Sequence, residues 1–320
     1  MWITGADRIP GDRHVQTTIK SPVSLEGIGL HTGRPVKVRL CPAGAEYGIW
    51  FRRTDITDGP ATIAAHWSSV VPSELCTMIM NDAGVSVSTT EHLMAAIAGT
   101  GVHNLLVEID GPEVPILDGS AAVFVRAIMA RGIRRLDTPV RAIEILKPVE
   151  VTRGDATAAL EPAPGLEIDF RIDFADGAIG RQEMTLDMAN GAFVRMLSDA
   201  RTFCRSAEVE VMRARGLALG GSLDNAVVID GERVLNPGGW RHDDEAVRHK
   251  MLDALGDLAL AGAPILGRFR GHRAGHATTR ALLEALFGAQ DAFRMVECTR
   301  AQTSRLPGTG LRRSDLRAAA

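Results

Sequence analysis

DDEAVRHKMLDALGDLALAG, residues 243–262, is the stretch around which the chain arranges itself. Val247, Met251, Leu255 and Leu258 recur at three- and four-residue spacing and predict a helix with one buried stripe. Asp243, Asp244 and Glu245 put negative charge and a candidate cap at its start, where free N–H groups and the macrodipole favour them. Gly262 and Pro264 stop it. On another face, His249, Asp253 and Asp257 follow one another at one-turn intervals. A ring nitrogen and a carboxylate at i and i+4 can converge on a divalent metal, and Asp257 can orient a neighbouring group from one turn beyond. The same spacing describes any solvated polar face. What favours a site is the narrowness of this stripe on an otherwise apolar helix, and the presence on it of Lys250, one of four lysines in the chain.

Strand and helix patterns extend outward from this helix in both halves of the chain. Residues 16–40 read as β, with VKVRL at 36–40, and are broken by GIGLHTG at 27–33. That glycine cluster is not a dinucleotide loop, because strand residues rather than a helix follow Gly33. His31 within it is expected to be exposed on a turn. A short strand at 76–80 precedes SVSTTEHLMAAIAGTG (86–101), where Thr89 or Thr90 can cap a helix opening at Glu91-His92. A strand at 104–109 and a helix within 118–133 follow. RRLDTPVRAIEI (134–145) turns back to strand through a proline and marks a junction. The second half repeats the grammar with strands over 142–174, a helix near 189–197, an irregular section, a strand at 226–229, the long helix, a strand at 265–269 and a helix at 278–286. The pattern predicts an α+β fold: a leader over 1–15, an N-terminal domain over 16–134, a junction over 135–145, a C-terminal domain over 146–300 and a mobile tail over 301–320.

A 320-residue chain with 45% hydrophobic and 23% charged residues is globular rather than disordered. A net charge of −3 offers no global attraction for nucleic acid or an anionic membrane. The four cysteines, Cys41, Cys76, Cys204 and Cys298, form no C-x-x-C pair, which argues against a zinc ribbon and suits a reducing cytoplasm. No apolar run approaches a membrane span. The expected setting is therefore cytoplasmic, with no membrane insertion and no nucleic acid, a small-molecule partner and a monomeric state.

Three groups of residues can carry chemistry. Glu91-His92 opens one helix; His249, Lys250, Asp253 and Asp257 share another; GHRAGH (271–276) offers His272 and His276 in a glycine-flanked loop. Two histidines and a carboxylate with an open position describe a hydrolytic zinc site. Such a site also needs a base, an acid and an oxyanion donor. Glu91, a loop histidine and the Thr202 hydroxyl are the candidates. Two histidines and a carboxylate equally describe the facial triad of a non-haem iron oxygenase, and a non-catalytic sugar-nucleotide or lipid binder is a third possibility.

SPVSLEGIGLHTG (21–33), TTEHLMAAIAGTGVHN (89–104), EVPILDGSAAVFV (113–125), ARTFC (200–204), GLALGGSLDNAVVI (216–229), VRHKMLDALGDL (247–258) and GHATTRALL (275–283) together resemble the UDP-3-O-acyl-N-acetylglucosamine deacetylases, over about residues 15–300. The resemblance implies two similar layered α+β domains, each a β-sheet packed on helices with a small insert, and an active site between them. It implies hydrolysis of the 2-acetamido group of the UDP-linked sugar, the committed step of lipid A synthesis in Gram-negative bacteria. It implies zinc held by His92, His249 and Asp253, ferrous iron being the other metal such ligands admit. Glu91 would be the general base and His276 the general acid, kept protonated partly by Asp257. Thr202 would steady the oxyanion, and Lys250 would contact substrate or oxyanion. The second insert, about 205–234, would form an apolar passage for the acyl chain beside Val209, Ala218, Gly221, Ser222 and Val228. Phe203 would face the substrate, and His31, Asp173 and Phe174 the UDP part. Arg273 stands where lysine is expected in much of the family, so phosphate contacts there differ in geometry.

Overall fold

The computed structural model describes residues 15–316. Among these the α-helices are α1 (Glu91–Gly99), α2 (Ala122–Arg131), α3 (Ala192–Met196), α4 (Ser206–Ala214), α5 (Glu245–Ala259), α6 (His276–Gly288) and α7 (Arg300–Thr303). α1 and α5 pack against one another at the centre. Both are buried far beyond one stripe: α1 (EHLMAAIAG) keeps one half-buried residue, Ala98, and α5 buries Val247, Met251, Leu255 and Leu258 as their spacing predicts.

Close approach of the two helices requires a glycine. A Cβ on Gly256 would sit 2.0 Å from the carbonyl oxygen of Glu91 and 3.1 Å from its Cα. Gly256→Ala is therefore expected to push α1 and α5 apart, destabilising the fold by about 1–3 kcal/mol and misplacing Glu91. A thermal melt beside a kcat measurement checks both effects; an unshifted Tm would mean that the helices can slide at no cost.

Each central helix belongs to a sheet-and-helix unit. In the N-terminal half, strands run in the order Val23–Ile28, Pro35–Pro42, Leu105–Ile109, Ile49–Arg53, Thr62–Ala64. All pair antiparallel except Leu105–Ile109 with Ile49–Arg53. Period-two alternation fixes the buried face: Val36, Val38 and Leu40 point in, while Lys37 and Arg39 point out. In the C-terminal half, the strand Ile265–His272 is central, pairing with Ala156–Glu161, Leu166–Asp173 and Arg141–Ile145 along its length. Leu166, Ile168, Phe170 and Ile172 form its neighbour's buried face. One apolar core runs continuously through both units. The result is an α+β fold of sheets packed on helices, as the sequence predicts.

Each half also carries a small extra sheet: Val70–Val71, Met78–Met80 and Ser86–Val87 in the first, Phe203–Arg205, Val227–Asp230 and Val234 with Arg233 in the second. Val15–Ile19 pairs with Ile133–Pro139 as a ribbon where the halves meet. No described helix is long and apolar enough to cross a membrane.

Local structure departs from the sequence reading in three places. α4 falls in the section read as irregular; it buries no residue, so no apolar stripe marks it. The start of α5 has no side-chain cap. Asp244 instead pairs with Arg248, and Glu245, fully buried, accepts from the backbone N–H and guanidinium of Arg201 and from the backbone N–H of Arg241. Residues 300–316 include α7, closed by a Thr299–Gln302 capping box, and bury Leu306 against Val140, Ala142 and Leu266. The predicted leader lies outside the described residues except for Val15, as do residues 317–320 of the tail.

Candidate active site

α1 and α5 bring His92, His249 and Asp253 together. The two Nε2 atoms lie 3.6 and 3.4 Å from Oδ1 of Asp253, and all three atoms fall within 4.8 Å of one another. His249 Nδ1 lies 3.0 Å from the carbonyl oxygen of Ala200 and must donate to it, which turns the lone pair of Nε2 inward. Burial pushes His249 down to about 4, so its ring is neutral at pH 7. Burial alone would raise Asp253, but His249 and Lys250 outweigh it and hold the carboxyl well below its usual range. Oδ2 of Asp253 accepts from Lys250 Nζ at 2.5 Å, whereas Oδ1 is buried with no hydrogen-bond partner. An anionic oxygen orphaned beside two imidazole nitrogens is costly without a cation. The donor set fits a divalent metal.

Glu91 and His276 stand next to each other beside this cluster. Glu91 Oε2 accepts from the backbone N–H of Thr77 at 3.1 Å, and Oε1 lies 3.6 Å from His276 Nε2. Burial raises the Glu91 carboxyl, against the pull of His276 and His92. His276 is the first residue of α6, and its Nδ1 lies 2.9 Å from Oδ2 of Asp257. Burial disfavours a charged ring there, but Asp257, Glu91 and Asp253 prevail and raise it to about 9. His272 is not part of the group: it ends the strand Ile265–His272 and lines a separate hollow on the sheet face.

A cavity of about 470 Å³ opens over these residues. Glu91, His92, His249, Lys250, Asp253 and His276 line it, as do Thr202, Phe203, His31, Asp173 and Phe174. Asp257 stands behind His276. The main chain of Thr202 is gripped on both sides, its N–H donating to Gly119 and its carbonyl accepting from Val227. Phe203 packs edge-on to Phe174, Trp240 and His249, giving the cavity an aromatic wall. Arg273 reaches Asp173 at 3.0 Å.

A second cavity of about 460 Å³ adjoins the first through shared walls at Leu30, His31, Leu75, Thr202 and Phe203. Val209, Ala218, Gly221, Ser222 and Val228 all line it, between α4 and the loop 217–226. Leu75, Thr89, Ala218 and Arg273, which line one or both cavities, have positive φ. Strain of this kind, about 1–3 kcal/mol per residue, collects where surrounding structure dictates a functional shape.

His31 corrects the sequence reading. It is buried, because the second insert closes over its loop: Leu219 and Gly220 donate to the carbonyls of His31 and Leu30. Burial lowers its pKa, with Glu113 opposing. Sequence reasoning also passed over Glu113 and Thr77. Glu113, buried, accepts from the backbone N–H groups of His31 and Thr32 and from the hydroxyls of Thr32 and Thr89. It thereby ties the His31 loop to the start of α1. Its only signal was its place at the head of EVPILDGS.

The profile of the family described as LpxC, UDP-3-O-acyl N-acetylglycosamine deacetylase, matches residues 16–288. The chain belongs to this family. A UDP-3-O-acyl-N-acetylglucosamine deacetylase of Phenylobacterium zucineum (strain HLK1) is 51% identical over 280 residues, 88% of this chain and 96% of that one. Its counterpart in Shewanella frigidimarina (strain NCIMB 400) is 45% identical over 283 residues, 88% of this chain and 92% of that one. Membership fixes the chemistry at the level of a deacetylase of lipid A biosynthesis acting on a UDP-sugar.

Proposed function

We propose that the chain is a zinc-dependent amidohydrolase that removes the N-acetyl group of UDP-3-O-(3-hydroxyacyl)-N-acetylglucosamine and releases acetate. The observation that carries this reading is the orphaned Oδ1 of Asp253 between His92 and His249, in the cavity that Glu91 and His276 share. A divalent ion held by these three residues would polarise the acetamide carbonyl and acidify the attacking water. The same ligands also admit ferrous iron.

Glu91 takes a proton from water at Oε1 as the water oxygen bonds to the carbonyl carbon. His276 gives a proton from Nε2 to the departing nitrogen as the C–N bond breaks. The products are acetate and the amine, which takes up the second proton of the attacking water as the new carboxyl group ionises, and one proton passing from Glu91 to His276 resets the pair. Lys250, whose pKa rises because Asp253, Asp257 and Glu91 outweigh its burial, stays charged beside the developing oxyanion. The Thr202 hydroxyl offers a neutral donor there. His31, Asp173 and Phe174 would receive the UDP part, and the adjoining cavity by α4 the acyl chain. An oxygenase would leave Glu91 and His276 without work. The free cysteines suit a reducing cytoplasm.

Acetate release from the UDP-3-O-acyl-N-acetylglucosamine substrate is expected to cease with a chelator and return with Zn²⁺. Activity that survives complete metal removal would overturn the reading.

The pH dependence has a definite sign. A histidine raised to about 9 is protonated below that pH and competent as an acid there. kcat/KM is expected to hold through neutral pH and fall on the alkaline side, at or below about 9, since a bound cation would repel the ring's charge. His276→Gln is expected to lower kcat by about 10²-fold or more and to remove that alkaline limb. An unchanged limb would assign the proton to another group.

A further inference from the structure

Thr77 stands just before the strand Met78–Met80, in the small extra sheet of the N-terminal half, and is buried. It touches both partners of the proton-transfer pair. Its backbone N–H donates to Oε2 of Glu91 at 3.1 Å. Its hydroxyl donates to Oδ1 of Asp257 at 2.6 Å and lies 3.1 Å from Nδ1 of His276. Its carbonyl accepts from the N–H and hydroxyl of Thr90, the residue before Glu91.

We propose that Thr77 is a positioning residue for deacetylation, selecting the oxygen of Glu91 and the nitrogen of His276 that handle protons. The inference rests on the reading of Glu91 as base and His276 as acid. Its logic is an inventory of donors. A threonine hydroxyl has one proton and two lone pairs, and an ionised carboxylate can only accept. The hydroxyl proton is therefore committed to Asp257, so toward His276 the Thr77 oxygen can only accept. Oδ2 of Asp257, 2.9 Å from the same Nδ1, can also only accept. Both contacts require a proton on Nδ1, which leaves Nε2 as the nitrogen that gains and loses one.

The backbone of the same residue performs the matching selection on Glu91. With Oε2 occupied by the Thr77 N–H, Oε1 is the oxygen left to accept a proton. It is Oε1 and Nε2 that face each other at 3.6 Å, beside the metal-ligand cluster. Thr77 thus sets both working atoms from one rigid point, and does so without reaching substrate or metal ligands. Asp257 alone could hold Nδ1, but a carboxylate fixed at one oxygen can swing; the hydroxyl on Oδ1 removes that freedom.

Thr77→Val and Thr77→Ser in the full chain, loaded with Zn²⁺, separate this role from simple packing. Valine keeps the shape and the backbone donor but deletes the hydroxyl; serine keeps the hydroxyl and loses a methyl. Thr77→Val is expected to lower kcat by about tenfold or more with KM within about threefold of the parent, and Thr77→Ser to recover kcat to within about threefold. A Thr77→Val enzyme with parental kcat, or equal losses in the two variants, would overturn the inference. Glu91→Gln and His276→Gln run alongside. If they lose activity and Thr77→Val does not, the inference alone fails; if they keep parental kcat, the underlying reading fails and takes the inference with it. Should Thr77→Val not fold, Thr77→Cys, whose thiol is a weak donor, makes the same comparison against serine.

Discussion

Glu91→Gln is expected to keep its metal and lose about 10³-fold in kcat, within the span of general acid–base contributions. The two outcomes separate because the carboxylate stands outside the ligand cluster of His92, His249 and Asp253 while sharing their cavity. Glutamine preserves the volume and an acceptor for the Thr77 N–H, so the start of α1 should hold its position. What disappears is the ability to take a proton. Burial, which raises the carboxyl toward the pH at which it works, is the feature that makes Glu91 a better base than an exposed glutamate. The measurement is kcat for acetate release together with metal stoichiometry on the same sample. Retained metal with little turnover supports the assignment. Loss of metal would make Glu91 a ligand and leave the base unassigned.

How much of this was legible in the sequence follows from the range of each interaction. The ligand pair on α5 was legible because a helix imposes its own register: His249 and Asp253 at i and i+4 share a face whatever surrounds them. The buried stripe of α5 was legible for the same reason. Glu91-His92 at the head of α1 could be seen as paired ligand and base, but their approach to α5 depends on Gly256, whose role appears only when the two helices meet. Thr77 was invisible. It bonds to Asp257 across 180 residues of sequence, and threonine before a short strand carries no local mark of function. His31 was misjudged because its cover, the loop carrying Leu219 and Gly220, arrives from the other half of the chain. α4 escaped because a helix that buries nothing shows no apolar period. The cap expected at Asp243–Glu245 failed for a different reason. Glu245 is more strongly engaged by the buried Arg201 guanidinium, and that contact holds the segment bearing Thr202 against α5. Family resemblance supplied residue roles that neither spacing nor periodicity could.

Asp253→Ala is expected to abolish turnover by removing the metal. Substitutions around metal ligands typically cost about 10–100-fold in affinity; deletion of a ligand is expected to exceed that range, bringing occupancy near zero in dilute Zn²⁺. The geometry gives the reason. Oδ1 of Asp253 is the one anionic atom in the cluster, the other two members being imidazole nitrogens. Alanine also removes the oxygen that Lys250 Nζ holds at 2.5 Å, leaving that ammonium facing Glu91 and Asp257 alone. A loss of activity could then arise from a displaced Lys250 rather than from an absent metal. Asp253→Asn separates these causes, since the amide keeps the side-chain volume and one oxygen while giving up the charge. Metal content measured on both variants, with Tm referred to the chelated parent, decides between them. If the metal reading is right, both variants lose zinc and their Tm no longer responds to added Zn²⁺, alanine losing the most. Zinc at parental stoichiometry in Asp253→Ala would remove Asp253 from the ligand set. The charge of Asp253 would then be balanced by Lys250, whose Nζ already holds its other oxygen, and the retained zinc would have to take its third ligand from another group lining the cavity.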